Sequence, residues 1–334
     1  MADSRPLIRA LARATMAYPF KMWGFGEGIA LEALWLADEL APGLGCRRFV
    51  LDRYETWLAR GIEERDHSAS GVLLLDLYQH TGDGRCMTRA LELAEYLRGL
   101  PITMHGAALH RPQHPDYHAY LYVDCMEVDA PFLCRLGAIT GDATWTDAGA
   151  AQIRAYCALL QDNASGLFYH QYDAETGTVN GAFWGRGNGW ALLGLIKTLG
   201  VLPAAHAAFP ELAARFRQLA SALLTRQLPS GGWPTVLDQP NTYEESSLAA
   251  MFGLGLALGI EQRLIDHGVR SVVDRAWSRT VERLADGSLD SVSVATPPGD
   301  AGHYAQIATG RGYPWGQGPA LWLALLMAPP ASAR

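Results

Sequence analysis

Between Phe183 and Trp190 the chain reads Phe-Trp-Gly-Arg-Gly-Asn-Gly-Trp and runs straight into the apolar stretch 191–196. A guanidinium set between two indoles, on a glycine-rich turn that opens a helix, suits a flat, negatively charged ring such as a uronic acid. Aromatic faces would hold the sugar, while Arg186 and free helix N–H groups would hold its carboxylate. In isolation the same segment reads first as a helix entry with two core tryptophans. Similar polar and aromatic entries recur, however, at Trp23-Gly-Phe-Gly-Glu27, Asp66-His-Ser68, Tyr122-Val-Asp124, Tyr243-Glu-Glu-Ser-Ser247 and Tyr313-Pro-Trp-Gly-Gln-Gly318. Helix N-caps would account for the Asp and Ser residues but have no need of so many aromatics. The excess points to a ring-binding cleft.

The elements that must position these clusters are helices. Thr81-Gly-Asp83 and Thr140-Gly-Asp142 each follow an apolar helix and precede another, a spacing that suits helical hairpins with long connecting loops. Apolar periodicity gives about twelve helices, centred near residues 11, 31, 53, 75, 93, 130, 152, 194, 218, 251, 274 and 322, with the few strand signals confined to loops. Helices near 188–200, 245–259 and 317–327 are apolar nearly all round, whereas 46–60, 84–99 and 208–227 carry charge on one face. An all-round apolar helix has to be enclosed. Alternation of enclosed and amphipathic helices describes an inner and an outer ring, an all-α (α/α) six-hairpin barrel, expected to form one domain over residues 1–334. Parallel inner helices would gather the polar entries at one mouth.

Composition narrows the partners. The net charge is −7 and no Lys/Arg-rich run occurs, so neither nucleic acid nor an anionic membrane surface is expected as a partner. The only lysines are Lys21 and Lys197. The five cysteines lack CxxC spacing and read as buried thiols in a reducing compartment, and no apolar stretch is long enough to cross a bilayer. A cytoplasmic protein is expected, as a monomer or homodimer. His67, His105, His110 and His114 do not share a helix that could present them as ligands, the loop that carries the last three being Pro-rich, and Gly185-Arg-Gly-Asn-Gly189 lacks the Lys-Ser/Thr of a phosphate loop. No metal or cofactor is expected.

The Phe183–Trp190 segment, together with Tyr122-Val-Asp-Cys-Met126, Pro131-Phe-Leu133, Leu136-Gly137 and Glu245-Ser-Ser247, resembles the unsaturated uronyl hydrolases of glycoside hydrolase families 88 and 105. The resemblance runs from about Trp23 to about Leu326 and is closer to family 105, the unsaturated rhamnogalacturonyl hydrolases. It implies the six-hairpin barrel and a small oligosaccharide substrate left by a polysaccharide lyase, whose terminal uronic acid carries a C4=C5 double bond. It also implies hydration of that enol ether rather than direct displacement of the glycosidic oxygen.

By the same resemblance Asp124 is the catalytic acid, protonating C4 and helping water add at C5. Asp66 is its partner, although Ala69-Ser70 stands where the family usually has Asn-Pro. A carboxyl ordinarily titrates near about pH 4, so the chemistry needs something to keep it protonated, and a second carboxylate in a water-poor pocket is the expected source. For both aspartates helix capping is the competing role. Arg186 and Trp190 match substrate-binding positions, with Trp184 a supporting aromatic. His170 matches a substrate-contacting histidine, and His110 lies in a loop resembling the pre-catalytic loop. Trp23 or Phe25 is expected to wall the cleft.

Two other classes fit the same barrel. A sugar epimerase or isomerase would place a histidine pair at inner-helix starts, but His170 and His303 fall in loops. A non-catalytic carbohydrate-binding toroid would have no use for an ill-solvated carboxyl pair in an aromatic cleft.

Overall fold

The Thr-Gly-Asp tripeptides turn out to be paired stop and start signals. The computed structural model describes residues 4–22, 24–63, 66 and 68–328. In it, Thr81 Oγ1 donates back to Leu77 O (2.7 Å), Gly82 takes a left-handed φ of 70° to end one helix, and Asp83 accepts from Arg85 N (2.9 Å) to begin the next. Thr140, Gly141 (φ 74°) and Asp142 repeat the device, Asp142 accepting from Thr144 N at 3.0 Å. Side-chain caps at the start and glycine at the end are the chemistry such turns call for.

Among the described residues six helices form the inner layer: α2 (Glu27–Ala37), α4 (Gly71–Thr81), α6 (Cys125–Thr140), α8 (Gly185–Val201), α10 (Ser246–Glu261) and α13 (Pro314–Met327). They pack in the cyclic order α2, α4, α6, α8, α10, α13 and back to α2, which closes the ring. Six more surround them: α1 (Arg5–Met16), α3 (Cys46–Leu58), α5 (Gly84–Arg98), α7 (Ala143–Leu160), α9 (Phe209–Leu224) and α11 (Arg270–Glu282). The molecule is an (α/α) barrel. A single turn, α12 (Ala301–Tyr304), had no counterpart in the periodicity, because one turn is too short to repeat.

Burial follows the sequence pattern. Every residue from Ser246 to Leu256 of α10 is buried, whereas α5 buries only Cys86, Ala90, Leu93, Ala94 and Leu97, one stripe at helical spacing. Inner helices approach closely. A Cβ on Gly194 of α8 would lie 2.3 Å from Met126 O of α6, so only glycine fits there. The five cysteines are buried and none is in a disulfide, and no helix among the described residues is long and apolar enough to cross a membrane.

Charges also lie inside the ring. Lys197 of α8 donates to Glu32 of α2 (2.8 Å) and Glu127 of α6 (2.5 Å), all three nearly inaccessible. Burial pushes Glu127 up to about 7 against the pull of Lys197. Burial would lower Lys197, but Glu127 and Glu32 outweigh it and raise the ammonium above its ordinary range.

The loops that precede the inner helices are tied by small antiparallel sheets. Strand β1 (Tyr120–Tyr122) pairs with β2 (Gln171–Asp173), which pairs with β3 (Thr178–Val179). With Tyr122 opposite Gln171, and Val123 N donating to His170 O at 2.9 Å, the start of α6 is fixed against the loop leading to α8. Further along, β4 (Leu284–Ala285) pairs with β5 (Ser288–Leu289). Strand β6 (Val292–Ser293) pairs with β7 (Thr309–Gly310), framing the loop that carries α12.

Candidate active site

The starts of α2, α6, α8 and α13 converge on a cleft of about 490 Å³ lined by, among others, Phe25, Glu27, His110, Tyr122, Asp124, His170, Trp184, Arg186, Trp190 and Trp315. The expected gathering of polar entries at one mouth is therefore present. Trp23 and His67 lie outside the described residues. Phe25 lines the cleft and packs against the His110 ring, with centroids 5.5 Å apart.

Asp124 occupies the N-cap position of α6, yet its backbone is already helical (φ −57°, ψ −33°) and its side chain makes no capping bond. Capping therefore does not explain it. The carboxylate is buried, 7% exposed, and turns to the cleft, where Oδ2 lies 3.2 Å from His170 Nε2. The approach is oblique, so Oδ2 has no well-formed hydrogen bond within the protein. His170 is held from behind: Nδ1 meets Tyr304 Oη at 2.8 Å, and its ring lies over Trp184 with centroids 4.3 Å apart.

The expected carboxylate pair is not formed. Asp66 is fully buried, and both of its oxygens are taken by Arg60, Nη2 to Oδ1 at 2.7 Å and Nη1 to Oδ2 at 2.8 Å, with Glu63 N adding a third bond at 2.9 Å. A bidentate guanidinium is the preferred partner of a buried carboxylate, and Asp66 closes the turn before α4 instead of lining the cleft. Ser68, two residues on, does line it, and Ser70 is the cap of α4.

Arg186 also differs from expectation. Its fork is used within the protein: Nη1 donates to Glu245 Oε1 (2.6 Å) and to Ser293 O and Oγ (3.0 and 2.5 Å), and Nη2 donates to Val294 O (2.9 Å) and Thr296 Oγ1 (2.8 Å). Four terminal N–H groups facing five acceptors leave only Nε–H without a protein partner, so the fork cannot also clamp a substrate carboxylate. The two indoles about the guanidinium are Trp184 (4.6 Å) and Trp315 (5.4 Å) rather than Trp184 and Trp190. Arg186 forms one wall of the cleft and clamps the 292–296 segment to it. Trp190 is 2% exposed and lines the cleft, and its indole N–H has no acceptor in the protein. His110 is buried in the same wall, with Nδ1 3.7 Å from Cys125 Sγ and its ring against Tyr122.

Two site residues escaped the sequence reading. Glu27 lines the cleft at the start of α2, where burial raises its carboxyl above the usual range although Met22 N and Lys21 N donate to it at 2.6 and 2.9 Å. Its place at the end of the Trp23–Glu27 entry was the available signal. Tyr304 gave none, because it reaches His170 across 134 positions of sequence.

This chain belongs to glycosyl hydrolase family 88, whose model matches residues 10–329. Over 326 residues it is 31% identical to the unsaturated rhamnogalacturonyl hydrolase YesR of Bacillus subtilis (strain 168), covering 94% of this chain and 92% of that protein. A shorter match, 27% over 154 residues, joins 44% of this chain to 37% of the unsaturated 3S-rhamnoglycuronyl hydrolase of Alteromonas sp. (strain LOR). In fold it is similar to a possible family 105 member from Salmonella enterica, with TM-score 0.87, 20% identity and coverage of 97% and 93% of the two chains. The unsaturated glucuronyl hydrolase of Bacillus sp. GL1 superposes with TM-score 0.71 at 17% identity, covering 97% and 94%.

Proposed function

We propose that this glycosyl hydrolase removes a 4,5-unsaturated uronic acid from the non-reducing end of lyase-generated oligosaccharides by hydrating the double bond, with Asp124 as the acid. The observation that carries the reading is a buried carboxyl that caps nothing and faces an aromatic-walled cleft, in a chain similar over nearly its whole length to an unsaturated rhamnogalacturonyl hydrolase. The rhamnogalacturonan-derived class is accordingly the first substrate to try.

The chemistry closes on one carboxyl. Asp124 gives its proton to C4, and the enol-ether electrons leave an oxocarbenium centre at C5. Water adds there and returns a proton to Asp124. The resulting hemiketal opens, and the hemiacetal left at C1 expels the remaining sugar. His170 Nε2 faces Oδ2, where the negative charge appears once the proton has gone. The Trp190 indole N–H is an unused donor for a substrate oxygen, and the aromatic walls take the flat ring.

The test is loss of the ultraviolet absorbance of the conjugated double bond when an unsaturated rhamnogalacturonan disaccharide is added. Wild type should clear it, and Asp124→Asn, which keeps shape but not the proton, should be slower by about a hundredfold or more while remaining folded by circular dichroism. A variant that keeps above a tenth of the rate would remove Asp124 from the mechanism.

A further inference from the structure

The hydrogen bonds around Tyr304 can be assigned proton by proton, because most of them end on backbone groups. Asn180 Oδ1 accepts from His170 N (3.0 Å) and Gln171 N (3.2 Å), which fixes the orientation of its amide. Its Nδ2 must then be the donor, and its two hydrogens go to Gly299 O (2.8 Å) and Tyr304 Oη (3.0 Å). Gly299 N also donates to Tyr304 Oη, at 3.0 Å. A phenol oxygen accepts two hydrogen bonds and donates one. Both acceptor positions are filled by N–H donors, so the hydroxyl hydrogen has one direction left, toward His170 Nδ1 at 2.8 Å.

We infer that Tyr304 is a positioning residue that locks His170 in the neutral tautomer with its proton on Nε2, the nitrogen that faces Asp124. An imidazolium would need an acceptor at Nδ1, and Tyr304 Oη, its partner among the described residues, has no lone pair to spare. The consequence falls on the acid. A neutral N–H offers Oδ2 a dipole, whereas an imidazolium at 3.2 Å would offer a full charge, stabilise the carboxylate and draw off the proton meant for C4. The lock thus does for Asp124 part of what a second carboxylate was expected to do, by withholding a cation instead of supplying an anion. Burial raises the Tyr304 phenol above its ordinary range, with the nearby Asp124 and Asp300 acting in the same direction, so it stays a donor. Among the described residues the other titratable or charged groups nearby include Tyr122, whose ring packs on the imidazole, His303, whose ring packs on Tyr304, and Arg186, which lies over Trp184 and is paired with Glu245, while Lys21, Glu27, His110 and Arg111 line the same cleft.

The role given to Asp124 rests on the function proposed above, but the tautomer can be read without any substrate. Long-range proton–nitrogen correlation on the wild-type protein labelled with 15N-histidine, assigned by the signal missing in His170→Gln, should show at pH 8 an unprotonated, pyridine-like Nδ1 and a protonated Nε2. A protonated Nδ1, or an imidazolium at that pH, would overturn the lock whether or not the enzyme turns over the unsaturated disaccharide. In Tyr304→Phe, Nδ1 is released and His170 can take up a proton. We expect kcat at neutral pH to fall about tenfold, KM to stay within about twofold, and the alkaline limb of kcat/KM to move about one pH unit lower, the size of one hydrogen bond. Asn180→Ala, which frees one acceptor position on Tyr304, should move the limb the same way by less. A limb that stays in place in folded Tyr304→Phe rejects the lock, and if that variant does not fold the wild-type nitrogen shifts decide alone.

Discussion

At the scale of the residue, Arg186 shows how a side chain can be legible in position and misread in use. Its flanking glycines and tryptophans mark it as part of a site, and it is part of one, but its partners Glu245, Ser293, Val294 and Thr296 come from segments about 59 to 110 positions away that no local pattern names. Arg186→Lys keeps the charge beside buried Glu245 and loses the planar fork that holds the 292–296 segment. The expected result is a loss of about 2–3 kcal/mol in urea-denaturation stability, the scale of one or two charge-assisted hydrogen bonds, accompanied by a raised KM as that wall of the cleft loosens. Raised KM at unchanged stability would return Arg186 to the role of direct carboxylate ligand. Asp66 is a nearer case: the Arg60 guanidinium that claims it lies only six positions earlier, but nothing in that spacing marks the pair before the turn is folded. Asp124 and His170 were legible through resemblance, and their juxtaposition depends on the pairing of β1 with β2.

At the scale of the element, nearly everything was legible except the charges. The twelve long helices lie where periodicity places them, because ring position dictates hydrophobic pattern: enclosure on all sides for the inner set, one stripe for the outer. A lone Glu32, Glu127 or Lys197 in an otherwise apolar helix carries no sign that the other two face it. That cluster has a measurable signature. Glu127 titrates near 7 in the folded chain, above its ordinary 4.5, so between those pH values the native state holds a proton that the unfolded chain has released. Its contribution to stability is therefore fully present below about pH 4.5 and is lost as pH rises through about 7. Urea unfolding of wild type and Glu127→Gln across this window should diverge by on the order of 1–3 kcal/mol, with the wild type losing stability relative to the variant as pH rises. Parallel pH dependences would mean that Lys197 holds Glu127 ionised throughout.

At the scale of the whole molecule, closure of the ring sets the chemistry, because parallel inner helices deliver their starts, and the loops before them, to a single mouth. This much followed from alternation along the chain. The packing of the 292–312 loop, and with it Tyr304, did not, since a loop pinned by two-residue strands and side-chain bonds has no periodicity to read. In the cleft so assembled Asp124 faces a histidine, whereas an inverting or retaining glycosidase would need two carboxyl groups flanking the anomeric bond; Asp66 is bound to Arg60, and Glu27, the other carboxyl lining the cleft, is engaged by Met22 N and Lys21 N. Direct hydrolysis would bring water oxygen to C1 and accept a saturated uronide. Hydration protonates C4, makes C5 electrophilic and brings water oxygen to C5, so the double bond is obligatory. Saturated glucuronides and galacturonides should therefore go untouched, turnover in deuterated water should place deuterium at C4, and 18O from water should appear at C5, all readable by NMR and mass spectrometry of the released uronate. Rapid cleavage of a saturated uronide, or 18O found only at C1, would exclude hydration even with the barrel and the placement of Asp124 unchanged.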